Sequence, residues 1–318
     1  MNSVFEDKKL AVFAQWLSNS DPEIRAYAAL CITNIARTDA HCLQVLRSGL
    51  VDHLAGMILS TDVKEQNCSI NAFRNLCISV EGKTILGQKG VIEKLVKVFD
   101  GENSAAKFTS AIIIKNLLLK HSDNAQKLAA ADGFAALTKM FESTTHDGMR
   151  CETARIFVNI VRLKNGTLAR CFFFVCLFVC LFSFLNPTIF TFTLAELTKK
   201  VLENDAITLV LELLKSEHAI LRAEAYETYK SLVVVASEGD SGSKYKSAIL
   251  KALLELVPAH IKDDSEPVQL AAIDLLATLL PESSEVVDGE HVGALKDALK
   301  QLTGANVKPK AVSLVQKL

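Results

Sequence analysis

Neither sign of charge is in surplus in this chain: 35 lysines and arginines stand against 36 aspartates and glutamates, a net charge of −1. That balance excludes a global polyelectrolyte attraction to nucleic acid or to anionic lipid. A disulfide framework is missing too. Cys31, Cys42, Cys68, Cys77 and Cys151 lie singly on apolar helical patterns, where a free cysteine acts as a small hydrophobe. Cys171, Cys176 and Cys180 fall within one unusual apolar stretch. The opening "MNSVFEDKKL" is charged where a signal peptide needs an apolar run, so a reducing, cytoplasmic setting is expected. In that setting the glycosylation patterns at Asn67 and Asn165 carry no meaning.

Catalytic and metal-binding patterns are lacking as well. CxxC, HExxH and GxSxG do not occur. "EGKT" at 81–84 resembles the end of a phosphate loop, but that loop needs glycine at 77, where Cys77 stands. The pair His41-Cys42 and the isolated His121, His146 and His218 lack ligand spacing and read as surface or boundary histidines. No cofactor, no metal and no covalent chemistry are expected.

What is present is periodicity. "IRAYAALCITNIAR", "NCSINAFRNLCIS", "KFTSAIIIKNLLLK" and "CETARIFVNIVRL" are apolar helices, each with an asparagine near its end. Asn34, Asn75, Asn116 and Asn159 follow one another at steps of 41, 41 and 43 residues. Gly49, Gly90 and Gly133 keep the same beat, each closing a short helix where a left-handed residue suits the turn. Another amphipathic run follows each glycine, so the unit is three helices in about 41 residues, the armadillo repeat. No such unit buries its apolar faces alone. The expected fold is therefore all-α, a right-handed solenoid of about six stacked repeats.

The beat resumes in "LRAEAYETYKSLVVVA" and "VQLAAIDLLATLL", where Ser231 and Thr278 take the asparagine's place. From Asn159 to Ser231 is 72 residues, leaving about 30 to spare. The expected organisation is repeats over 1–165, an insertion over 166–193, and repeats again over 194–318. Within the insertion, residues 171–195 carry no charge and hold eight of the sixteen phenylalanines. The continuous apolar part, 171–185, would span roughly 22 Å as a helix, short of a bilayer core of roughly 30 Å. A membrane span would also divide the stacked core, so an anchor is disfavoured. Phe, Leu, Val, Cys, Ser and Ile are what thymine-rich codons specify, and a translated retained intron of about 90 nucleotides fits that composition. A genuine hydrophobic insertion and a membrane segment are the other two readings.

In such an array the third helices line the concave surface, and their asparagines offer paired donors and acceptors to a partner's backbone. Arg37 and Arg162 sit three residues after their asparagines and Arg155 four before, on nearly the same face. The competing reading has the asparagines bridging adjacent repeats, with the arginines solvated.

Importin-type and catenin-type proteins usually carry tryptophan four residues before the asparagine. Leu30, Asn71, Ile112 and Arg155 stand there instead, which disfavours nuclear-signal recognition. "ITNIARTDAHCLQVLRSGLVDHLAGMI", "NAFRNLCIS", "EGKTILGQKGVIEKLVKVF", "CETARIFVNIVRL" and "AITLVLELLKSEHAILRAEAYE" resemble, in order, the small-GTPase GDP-dissociation stimulator family, smgGDS. The resemblance covers roughly residues 10 to 236 and concerns the C-terminal half of the longer family members. It implies an armadillo protein that binds Ras- and Rho-type GTPases, including those with polybasic, prenylated tails. Such a protein promotes nucleotide release and escorts the GTPase, so exchange-factor activity is the most enzymatic role implied. The implied partner-binding positions are Asn34, Arg37, Arg74, Asn75, Glu152, Arg155 and Arg162. A monomer that binds no nucleic acid is expected, and the alternative is a general adaptor gripping an extended peptide in its groove.

Overall fold

A computed structural model describes residues 7–165, 206–236, 257–258, 260–279, 289–302, 304 and 306–317. Every regular element among them is a helix, and they fall into two compact units. The expected insertion at 166–193 lies outside the described residues.

The first unit opens with a helix pair, α1 (Asp7–Leu17) and α2 (Pro22–Ile35). Three triads follow. The first is α3 (Asp39–Arg47), α4 (Leu50–Met57) and α5 (Val63–Leu76); the second is α6 (Val80–Gln88), α7 (Val91–Val98) and α8 (Ser104–Leu118). The third is α9 (Ser122–Ala130), α10 (Gly133–Ser143) and α11 (Asp147–Asn165). The helices α2, α3, α5, α6, α8 and α9 start where a side chain accepts a free helix N–H. Asp21 caps α2 ahead of Pro22, Thr38 caps α3, Asp62 caps α5 and Ser79 caps α6, while Asn103 and His121 cap α8 and α9.

The turn between first and second helices is where one expectation needs correcting. Gly49 (φ 82°) and Gly90 (φ 68°) are left-handed, as the repeat requires. In the third triad Asp132 (φ 53°) takes that conformation, and Gly133 instead begins α10. Leu128 explains the shift. A Cβ on residue 133 would lie 2.3 Å from Leu128 Cδ1 and 2.8 Å from its carbonyl oxygen. Glycine is required there for space, and aspartate, one of the residues that tolerate the left-handed region, supplies the turn.

Third helices stack on one another: α2 packs on α5, and α5 on α8. Ile32, Ile70, Phe73, Leu76, Ile113, Ile114 and Leu117 are wholly buried between them and their own second helices. The α2–α5 junction is clasped by Arg25. Its Nε and Nη2 donate to the two oxygens of Glu65 at 2.5 and 2.9 Å, and Nη1 reaches the Asn19 and Ser20 carbonyls at 2.7 and 3.0 Å. Hydrogen bonds from Arg25 and Ser60 hold the Glu65 carboxyl below its usual pKa although burial opposes this.

The second unit contains α12 (Ala206–Leu214), α13 (Ala219–Ala236), α14 (Glu266–Leu279), α15 (Gly289–Lys300) and α16 (Val307–Lys317). Its α13 and α14 pack as α2 and α5 do, with the same clasp. Arg222 Nη2 meets Asp263 Oδ2 at 2.6 Å, and Nη1 reaches the Ser216 and Glu217 carbonyls at 2.7 and 2.9 Å. The counterpart of the ladder at Ser231 lies in α13 with its side chain outside the described residues. Thr278 turns its hydroxyl back to the Asp274 carbonyl at 2.8 Å.

Candidate functional site

The last carbonyls of a helix lack partners within it. In α2 and α8, the asparagine of the next repeat supplies one. Asn75 Nδ2 donates to the Thr33 carbonyl, in the last turn of α2, at 3.3 Å. Asn159 Nδ2 donates likewise to the Lys115 carbonyl in the last turn of α8, at 3.2 Å. Asn116 Nδ2 lies 3.8 Å from Cys77 Sγ, at the C-cap of α5. Burial around Cys77 pushes its thiol up to about 11, so it meets Asn116 as an uncharged group. Asn75 and Asn159 therefore join adjacent repeats, and Asn116 approaches the preceding one at Cys77. Their Nδ2 atoms are used in this way, and no described residue donates to Oδ1 of Asn75, Asn116 or Asn159.

Asn34 differs. It is exposed, and its Oδ1 accepts from Arg37 Nη2 at 3.3 Å. Arg74 is also exposed and borders, with Asn75, a surface depression of about 340 Å³. Leu30, Thr33, Asn71, Ile78, Ile112 and Asn116 complete its lining. Three of these, Leu30, Asn71 and Ile112, stand four residues before the asparagines, where other armadillo groups keep tryptophan. Leu30 is 41% and Ile78 61% exposed, so the surface alternates amide, cation and aliphatic side chain.

Glu152 and Arg155 lie on α11, at 3.8 Å between Oε1 and Nη1. Glu152 is bound more closely by Lys115 of α8, a residue that sequence reasoning passed over. The signal was available, since Lys115 precedes Asn116 as Arg74 precedes Asn75. The structure thus groups Arg74 with Asn75, pairs Asn34 with Arg37, and pairs Glu152 with Arg155. Arg162 lies in α11 with its side chain outside the described residues.

The phosphate-loop remnant has a structural role. Glu81–Thr84 form the first turn of α6, and Lys83 is 8% exposed, its ammonium donating to the Leu119 carbonyl at 2.9 Å. His121 caps α9 and meets Thr84 Oγ1 at 3.1 Å. Among the described residues, no group of acidic, histidine and cysteine side chains is arranged to hold a metal ion, and no helix is long and apolar enough to cross a membrane. The apolar stretch 171–185 lies outside those residues.

Solved structures identify the fold. A designed armadillo repeat protein superposes with a TM-score of 0.63 at 16% identity, over 84% of this chain and 98% of that one. Another, solved in complex with a (KR)4 peptide, gives 0.62 at 16% identity over the same shares. A third, computationally designed for modular peptide recognition, gives 0.63 at 16% over 83% and 97%. The chain has an all-α armadillo-repeat fold. No protein-family model matches it. In sequence it is similar to the Rap1 GTPase-GDP dissociation stimulator 1-A of Xenopus laevis, 24% identical over 302 residues, 90% of this chain and 47% of that protein. The Xenopus laevis 1-B protein is 26% identical over 170 residues, covering 51% and 28%. The GTPase-GDP dissociation stimulator vimar of Drosophila melanogaster is 24% identical over 105 residues, covering 31% and 16%. The resemblance to the dissociation stimulators thus extends over most of the chain, which spans about half the length of the first of these relatives.

Proposed function

We propose that this protein binds small GTPases through the third-helix surface of its first unit and promotes release of their bound nucleotide. The carrying observation is the similarity to named dissociation stimulators along 90% of the chain. The groove chemistry is compatible with it. Asn34, Arg37, Arg74 and Asn75 present polar groups around exposed aliphatic side chains, a surface suited to a protein partner. Glu152 and Arg155 of α11 are further contacts on this reading, and Arg162 is a further candidate from the sequence. On this reading the GTPases are of Ras or Rho type, including ones with polybasic, prenylated tails. The protein acts in the cytoplasm as a monomer, as an exchange factor and chaperone, by gripping the partner rather than by covalent chemistry.

Release of a fluorescent GDP analogue from a panel of GTPases tests this. Acceleration of one subset by the full chain supports the reading. The adaptor alternative draws on the amide row and the exposed aliphatic side chains beside it, and it gains if peptides bind the groove while no GTPase does.

A further inference from the structure

The chain as a whole is nearly neutral, but the surface around the asparagine row is not. The three stacked helices α2, α5 and α8 contain two acidic residues, Glu23 and Glu65. Both are already neutralised. Glu65 is 4% exposed in the grip of Arg25, and Glu23 pairs with Lys64 at 2.9 Å. On the next third helix, Glu152 is held by Lys115. Against these, Arg37 and Arg74 have no carboxylate partner among the described residues, and both are exposed. Between them the surface is aliphatic, with Leu30, Ile78 and Ile112 at the depression.

We propose that this surface takes an extended acidic segment of a partner protein, with apolar side chains interspersed among its carboxylates. The carboxylates would meet Arg37 and Arg74, where arginine's forked donors suit them. The apolar side chains would cover Leu30, Ile78 and Ile112. Oδ1 of Asn75 and of Asn116, with Nδ2 engaged across the repeat, accepts main-chain N–H groups. Neighbouring third helices lie about 8–10 Å apart and an extended chain rises about 3.3 Å per residue. Acidic residues should therefore recur about every two or three positions. The inference deepens the proposed GTPase reading by giving the chemistry of the contacted segment, and it rests on the same surface. It also means that a polybasic tail is not what this face attracts. Single-stranded nucleic acid is the other polyanion, but the lining of the depression has no aromatic ring on which bases could stack.

A library of random peptides of about ten residues, long enough to cross three repeats at that rise, displayed on phage and selected on the full chain, tests this directly. The selected sequences should be acidic with interspersed apolar residues. A synthetic peptide of the consensus should weaken as salt is raised from about 50 to 300 mM, since its pairs are exposed. Arg37→Glu with Arg74→Glu should leave circular dichroism unchanged, weaken that peptide by about tenfold or more, and shift selection towards basic peptides. The proposal is overturned if selection yields neutral or basic sequences, or none above background. It also falls if the charge reversal has no effect, or if an oligo-dT strand displaces the peptide. The GTPase assay is read separately. Nucleotide release that the peptide does not inhibit would sink this inference and spare the GTPase reading, while peptide binding without any GTPase response would do the reverse.

Discussion

The carboxamide of Asn75 donates to the Thr33 carbonyl at 3.3 Å and thereby closes the C-terminal turn of α2 from the following repeat. Asn34 holds the equivalent place in the sequence, yet its oxygen accepts from Arg37 within its own repeat. The two asparagines should therefore respond differently to mutation. Asn75→Ala loses a part-buried bond across the stack and should cost about 0.5–1.5 kcal/mol, whereas Asn34→Ala should stay within about 0.5 kcal/mol. Chemical denaturation of the two single variants checks this, and equal losses would contradict the assignment.

Combining the two substitutions separates binding from folding. The double alanine variant should weaken GTPase binding while its helical circular-dichroism signal stays nearly intact. If it unfolds instead, and the folded fraction binds as before, the asparagines serve the stack alone.

Arg25→Ala should be far more damaging than either, because Glu65, 4% exposed, would be left without its partner. Removing one member of a buried pair costs about 3–5 kcal/mol, and the 23% exposure of Arg25 places this case towards the lower end. The pH dependence has a definite sign. The folded Glu65 carboxyl is more acidic than the unfolded one, so its contribution is complete above the ordinary value of about 4.3 and is lost as pH falls through the folded value. Urea midpoints of wild type and Arg25→Ala should differ most near neutrality and converge in acid. A gap that widens below pH 4 would contradict the pairing.

Residues 132 and 133 should respond in opposite directions. Gly133→Ala drives a Cβ into Leu128 and its carbonyl, and should lower the melting temperature. Asp132→Gly relieves a left-handed non-glycine residue and should raise stability by about 0.5–1 kcal/mol. Thermal denaturation of the pair checks both, and a neutral Gly133→Ala would mean that Leu128 yields easily.

Removing residues 166–193 joins "FVNIVRLKN" to "LAELTKKVL" and brings Asn159 and Ser231 near one repeat of separation. The shortened protein should be soluble and monomeric, with an equal or higher melting temperature. Most transcripts should lack the corresponding 80 to 90 nucleotides on the retained-intron reading, and sequencing them gives an independent check. Transcripts that all retain the stretch, with carbonate-resistant membrane partitioning of the full chain, would make it an anchor.

Much of this architecture was legible from residue order, because local rules set it. Apolar spacing, a capping Asp, Thr, Ser or Asn before several of the first and third helices, and glycine at 49 and 90 mark the helix triads, and the 41-residue beat marks how often they recur. The periodic asparagine was equally visible, but its use was not. Whether Asn75 offers its amide to a partner or to Thr33 depends on how closely α5 stacks on α2. The same holds for Lys115 with Glu152, 37 residues apart, and for Lys83, whose ammonium is spent on the Leu119 carbonyl. At residue 133, sequence placed a glycine on the beat, while the packed Leu128 side chain decided that the left-handed turn fell one residue earlier. Sequence determined the helices and their period through interactions within a few residues. Tertiary stacking decided which polar groups are consumed between repeats and which, like Arg37 and Arg74, remain exposed at the surface, because those choices depend on distances that exist only once the repeats are packed.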